Sequence, residues 1–412
     1  MARSLVALRY GRVTGHPALS VRIATSALFS YGFRPFFLLA GTFAVLAIPA
    51  WLVIYASGVA PLGAMPPQYW HAHEMVFGFI AAAVAGFLLT AVPSWTGDRG
   101  FAGQALVSLA VLWLLARVAF AGASVLPVWL LTLSELSFLP VLVLLLAPPL
   151  TRARNRNTPL LAVLGALWIS DAVFLIALSR HEPTLAVRAL HVAIDVILTL
   201  VTVIGGRIVP SFTSNALRRR GERSDIVSHP WLERAIVLAM AAVIVVDAFR
   251  PDSMIAGWLA AVVAVAQALR LSGWRSFRTR GDAILWILHV GYAWLPIGFA
   301  LKALWLLAGI GWAAYWLHAL TMGALATMIL AVMTRVAIGH TGRPLVVRTS
   351  IAVAYLLLSG GVLVRVIGPA IAPSSYLTVL VVSGSLWTIA FALYLIVYAP
   401  ILTRARLDGK AG

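Results

Sequence analysis

The sequence predicts an all-α polytopic membrane protein, a bundle of about twelve transmembrane helices, and three observations carry that prediction. First, 62% of the 412 residues are hydrophobic and only 11% are charged, with a mean hydropathy of +0.97. A soluble domain carries roughly 25% charged residues, so this chain has too few to cover a water-facing surface. Second, apolar runs close to the ~20 residues that cross a hydrocarbon core recur from one end of the chain to the other. Third, the arginines gather in alternate gaps between those runs.

Taken in order, residues 1–35 hold Arg3, Arg9, Arg12, Arg22 and Arg34. They lack a continuous apolar stretch and a small-residue cleavage site, and read as a cytoplasmic tail rather than a signal peptide. Runs follow at 36–56, 70–92, 104–121, 126–147, 159–178, 187–209, 231–249, 255–272, 284–307, 315–336, 346–367 and 376–401. The seventh and eighth are among the shortest. Residues 402–412 form a second basic tail, so 1–412 reads as a single integral membrane domain. Arg152, Arg154 and Arg156 follow the fourth run, and Arg218, Arg219, Arg220 and Arg223 the sixth. Arg270, Arg275, Arg278 and Arg280 follow the eighth, Arg343 and Arg348 the tenth, and Arg404, Arg406 and Lys410 the last. The other gaps hold few, with Arg180, Arg188 and Arg250 as exceptions. The positive-inside rule then puts both termini in the cytoplasm, and the even number of spans agrees. The net charge of +18 and pI near 11.4 are accounted for by these loops, so no nucleic-acid partner is expected. Cysteine is absent, which excludes disulfides, iron–sulfur clusters and thiolate metal sites.

The second, sixth and tenth runs resemble one another. When His73 is aligned with His318, Gly78 falls on Gly323 and Thr96-Gly97 on Thr341-Gly342 without a gap. The sixth run carries His191 at one end and Pro210-Ser211-Phe212-Thr213 at the other, echoing Pro93-Ser94-Trp95-Thr96. Similar helices at every fourth span suggest three pseudo-equivalent four-helix units.

Four histidines, His71, His73, His191 and His318, share one depth near the outer leaflet by this count. Imidazole in a bilayer is a functional candidate by default, and neutral imidazole ligates haem iron and copper. Without cysteine, bis-histidine or His/Met ligation is the natural option for haem. His71 and His73 lie about 200° apart around a regular helix and so face different partners. His71 shares a face with Glu74, as His191 does with Asp195, and each carboxylate is a candidate to orient its histidine or to join a metal shell. His289, with Tyr292 and Trp294, is a further metal-ligand candidate; His16, His181 and His229 read as solvated. Arg34, Arg207 and Arg335 are candidates to anchor a carboxylate such as a haem propionate, with snorkelling to headgroups as the alternative. Arg117, Lys302 and Arg365, nearer the outer helix ends, are better placed for propionates of a haem held by the outer histidines. Glu135 and Asp171 fall mid-membrane, on a proton path or in buried hydrogen bonds. No phosphate-binding loop, dinucleotide fingerprint or nucleophile elbow sits in a credible context.

Four blocks then carry a resemblance. They are Gly32-Phe33-Arg34-Pro35-Phe36-Phe37, the stretch from Trp70 to Gly97, Gly206-Arg207-Ile208-Val209-Pro210-Ser211-Phe212, and the stretch from His318 to Pro344. Together they resemble the NnrS family, bacterial membrane proteins of the nitric oxide response, over essentially the whole chain. The resemblance implies haem b, with copper as a further metal, and a role in denitrification or resistance to nitrosative stress. Nitric oxide or a related small molecule would be the partner, with an unidentified electron donor. It leaves two alternatives: turnover of nitric oxide as a reductase-like oxidoreductase, or protection by other means. Twelve spans with histidines on the second, sixth and tenth are also distantly similar to the haem–copper oxidases, but the seventh run lacks their histidine pair. On this reading His73 and His318 are assigned to haem iron and His71 and His191 to a second metal or haem, with Glu74 and Asp195 either supporting the ligands or carrying protons. A transporter of a small molecule or metal, built from repeats, is the rival.

Overall fold

The computed structural model describes residues 26–59, 61–62 and 66–409; Arg3, Arg9, Arg12, His16, Arg22 and Lys410 lie outside the described residues. Twelve long helices are present among them, one for each apolar run. They are α1 (Phe33–Ser57), α2 (Pro67–Thr96), α3 (Gln104–Ala121), α4 (Val128–Arg152), α5 (Leu160–Ser179) and α6 (Pro183–Arg219). After these come α7 (Pro230–Phe249), α8 (Met254–Ser272), α9 (Ala283–Ala308), α10 (Gly311–Gly339), α11 (Thr349–Ile371) and α12 (Tyr376–Thr403). Eleven are long and apolar enough to cross a membrane. The exception, α7, carries Glu233, Arg234 and Asp247 within its length. With 37 residues, α6 is about 55 Å long at 1.5 Å per residue, well beyond the ~30 Å core.

Burial sorts the helices into an inner and an outer set. In α2 and α10, 83% and 78% of the most apolar stretch is enclosed, and in α9 and α6 67% and 61%, whereas α1, α3–α5, α8, α11 and α12 reach only 33–44%. Of these inner four, α2, α6 and α10 touch one another pairwise, and α12 packs against α1 in the outer ring. The three repeated helices, with α9, therefore form the centre of the bundle. Polar groups exposed by this packing are taken up across helices, as hydrocarbon requires: Trp168 Nε1 donates to Leu136 O at 3.0 Å and Trp387 Nε1 to Ala44 O at 2.9 Å.

The repeat extends to local geometry. Both α2 and α10 widen into a π-helical stretch at the residue after the aligned histidine, Glu74–Ile80 in one and Ala319–Ala326 in the other. Gly78 and Gly323 lie in these stretches, and each receives an aromatic ring from the preceding helix of its own unit. A Cβ on Gly78 would come within 2.4 Å of Phe43, and one on Gly323 within 2.6 Å of Trp294. Gly78 O accepts from Trp113 Nε1 at 3.1 Å, which helps satisfy a carbonyl in the widened turn. Gly97 and Gly342 both adopt φ of +71°, the left-handed conformation that ends a helix.

The basic loops gather at one end. Asn155 Nδ2 donates to Trp95 O at 2.8 Å, Arg406 to His340 O at 2.8 Å, and Arg220 to Arg278 O at 3.2 Å. Arg34, counted above with the N-terminal tail, is in the first turn of α1. It is buried and donates to Leu402 O at 3.0 Å and Arg404 O at 2.6 Å, tying the two ends of the described chain together rather than snorkelling.

Candidate functional site

Away from that arginine-rich end, the bundle encloses a cavity of about 470 Å³ between α1, α2, α6 and α10–α12. Three imidazoles reach its wall: His71 from α2, His191 from α6 and His318 from α10. The His71 ring stacks on Trp51 of α1 at 4.8 Å and 19°, and His191 meets Trp316 edge-on at 5.8 Å. Among the described residues neither His71 nor His318 makes a hydrogen bond to protein. Arg365 of α11 lies on the same wall. Its Nη2 donates to Tyr376 Oη at 3.1 Å and its guanidinium faces the Tyr315 and Tyr376 rings, while Nη1 is buried without a partner. An apolar chamber with a few convergent polar groups is the usual form of a cofactor site.

His73 is elsewhere. Its ring is fully buried, stacked on Phe120 at 3.9 Å and Phe174 at 4.8 Å, on the opposite side of α2. Nε2 is 3.0 Å from Asp171 Oδ1 of α5, and Nδ1 is 3.4 Å from Glu74 Oε1. Arg117 of α3 bridges Glu74 and Glu135, the latter at 2.5 Å. The pairing of His73 with His318 that the sequence alignment suggests is thus not the one the structure makes. Two residues of helix turn His73 away from the cavity that His71 faces. Glu74 follows His73, not His71, because Arg117 draws its carboxylate toward α3. His73, Glu135 and Asp171 each offer one atom within 4.8 Å of the others and could hold a metal ion.

Asp195 lies one turn beyond His191, buried and close to Asp247 of α7. Lys302 of α9 pairs with Asp247 and lies 4.8 Å over the Trp316 ring. The carboxylates sit next to each other with one ammonium between two helices. Asp247 is part of a cluster that the sequence did not suggest, since its partner is 55 residues away.

The remaining candidates are at the arginine-rich end. Arg207 donates to Asn157 Oδ1 at 2.6 Å, and Arg335 lies 3.9 Å over the Phe212 ring. Sixteen or seventeen residues separate them from His191 and His318, about 25 Å along a helix, so neither reaches the cavity; Arg365 does. His289 is held on both ring nitrogens, by Thr213 Oγ1 at 2.8 Å and Ser276 Oγ at 2.9 Å. That arrangement ties α6, α9 and the turn between α8 and α9 together and leaves no nitrogen for a metal. Nearby, Arg270, a loop charge by sequence, is buried in a network with Glu233, Thr202 O and Tyr292 Oη, whose hydroxyl donates to Gln267. A bidentate pair so fully satisfied is a structural lock.

No curated protein matches the chain. A family model described as NnrS protein matches residues 27–406, from the turn before α1 to the segment after α12. Because that match takes in every helix of the bundle and the walls of both buried clusters, this chain is a member of the NnrS family.

Proposed function

We propose that this protein binds haem b in the cavity, between His71 and His318, and acts in the bacterial response to nitric oxide from the inner membrane, with both termini cytoplasmic. The observation that carries the reading is the set of groups left without protein partners on one apolar wall: two imidazoles from the two most enclosed helices and the Arg365 Nη1 beside them. Residues and group fit. His71 and His318 would hold the iron, Arg365 and Tyr376 would take a propionate, and Trp51, Phe79 and Trp387 would line the macrocycle. Bound there, haem supplies one-electron chemistry and affinity for diatomic ligands. Attachment is non-covalent, since no cysteine exists for thioether bonds.

The chain's own contribution is orientation and exclusion of water. Trp51 fixes the His71 ring, the tyrosines hold Arg365, and the apolar wall shields the site. His191 is the third imidazole on that wall and of the donor type that takes copper. Asp195, buried one turn further along α6, is placed to hold a proton near it. Nitric oxide, small and weakly polar, can reach this depth through the bilayer. The test is an ultraviolet–visible spectrum of the purified protein. A Soret band is expected, lost or altered in His71→Ala and His318→Ala and kept in His289→Ala. A colourless protein loaded with haem during expression would overturn the reading and leave the transporter as the alternative.

A further inference from the structure

The cluster on the other side of α2 is a chamber of its own, between α2, α3, α4 and α5, and none of its groups lines the cavity. Its charges do not balance. Glu74, Glu135 and Asp171 are three carboxylates, and Arg117 is one guanidinium; all are buried to within 8% exposure. Even a protonated His73 leaves one negative charge in an apolar surrounding, where unpaired charge is very costly. Glu135 shows where the deficit lies: Oε2 is held by Arg117, while Oε1 is buried without a partner.

We propose that His73, Glu135 and Asp171 bind one divalent metal ion, of the class of Zn²⁺, Mn²⁺ or Fe²⁺. A dication beside a neutral imidazole brings the cluster to zero net charge with all three carboxylates ionised, whereas protons alone reach neutrality only with two bound, one on His73 and one on a carboxylate. His73 Nε2 and Asp171 Oδ1, 3.0 Å apart, are spaced like neighbouring ligands on a metal with bonds of about 2.0–2.2 Å, and His73, Glu135 and Asp171 each offer one ligand atom within 4.8 Å of the others. The supports of such a site are present too. Phe120 and Phe174 clamp the His73 ring, Arg117 fixes the other oxygen of Glu135, and Glu74 lies against Nδ1, where it sets the tautomer that leaves Nε2 free to ligate. One imidazole with carboxylate oxygens, in a chain without thiolates, favours these ions over Cu⁺. The proposal uses no feature of the haem cavity and stands or falls separately from it.

The experiment uses the full-length protein in detergent. Elemental analysis of the isolated protein, then stripping with chelator and titration with Mn²⁺ alone, followed by loss of the free-ion electron paramagnetic resonance signal, gives stoichiometry and affinity. About one ion per chain is expected, with affinity reduced at least ~10-fold in Asp171→Asn and in Glu135→Gln. Both variants should elute as a single wild-type-like peak in detergent size-exclusion chromatography, which reports that they fold. Should a variant aggregate, X-ray absorption of wild-type protein loaded with Zn²⁺ decides without it: one imidazole with oxygen donors is expected. Two or more imidazoles would put the ion on the cavity histidines instead and overturn the proposal. So would less than ~0.1 ion per chain after titration, or variants that bind as wild type does.

Discussion

Arg365→Met separates the cavity reading from the anchoring roles that sequence alone gives to Arg207 and Arg335. Methionine keeps most of the arginine stem and its packing but removes the guanidinium. In wild type that group is 7% exposed, spends one nitrogen on Tyr376 and has Nη1 free toward the cavity. A hydrogen bond to a charged partner is worth about 1.5–3 kcal/mol, so loss of one bond to a propionate weakens haem binding about 10- to 150-fold. Transfer of haem to excess apomyoglobin reads this as a faster loss of the Soret band from the detergent-purified protein, with band shape unchanged because His71 and His318 both remain. Arg207→Met and Arg335→Met should release haem at the wild-type rate. Wild-type release from Arg365→Met, or accelerated release from Arg335→Met, would refute the assignment.

Other expectations follow from the same structure. Reporter fusions at Arg156, Arg220 and Arg278 should all report cytoplasm, and any one found outside would overturn the orientation. Acid–acetone should extract all haem; colour left on the denatured chain would defeat non-covalent attachment. Lys302→Met leaves Asp247 buried and unpaired and should cost about 3–5 kcal/mol of stability, seen as a collapse in folded yield, while the double variant with Asp247→Asn should recover most of it. His340, packed near the Tyr31 and Phe33 rings just beyond α10, has its pKa lowered first by burial and then by Arg406. The unfolded chain therefore takes up a proton near the ordinary value of about 6.5 while the folded chain does not, so this group costs stability as pH falls through that value. Melting scans from neutral to mildly acid pH should show a smaller decline in His340→Gln; an unchanged slope would count against it.

The twelve helices were legible because hydrocarbon demands a long apolar run for each crossing, and the predicted ends fall within a few residues of the observed ones over most of the chain. At α1 the start moves back to Phe33, since Arg34 finds carbonyl partners at the end of α12 that no local pattern reveals. The repeat was legible too, in His73, His318 and the glycines that follow them. What the alignment could not give was the partner of each repeated position. The residues that capture His73 (Phe120, Asp171, Phe174) come from α3 and α5, about fifty and a hundred residues further on. The depth of Arg365 near the outer histidines was legible as well, and set it apart from Arg335. Of the three outer cations, Arg117, Lys302 and Arg365, only Arg365 lines the cavity, because the partners that hold the other two come from distant helices.

The widened turns have a consequence for how one helix can serve two rooms. A π stretch holds about one residue more than the α-helix it interrupts, and one residue is worth about 100° of rotation. Glu74–Ile80 therefore works as a phase shift. The histidine end of α2 is indexed against the lower end, which must keep Gly86 against Phe36 and Phe37. Removing one residue from the stretch would restore an unbroken helix and swing His71 off the cavity wall and His73 out of its aromatic clamp together, while the lower half kept its seat. The two chambers are geared to each other through that single turn.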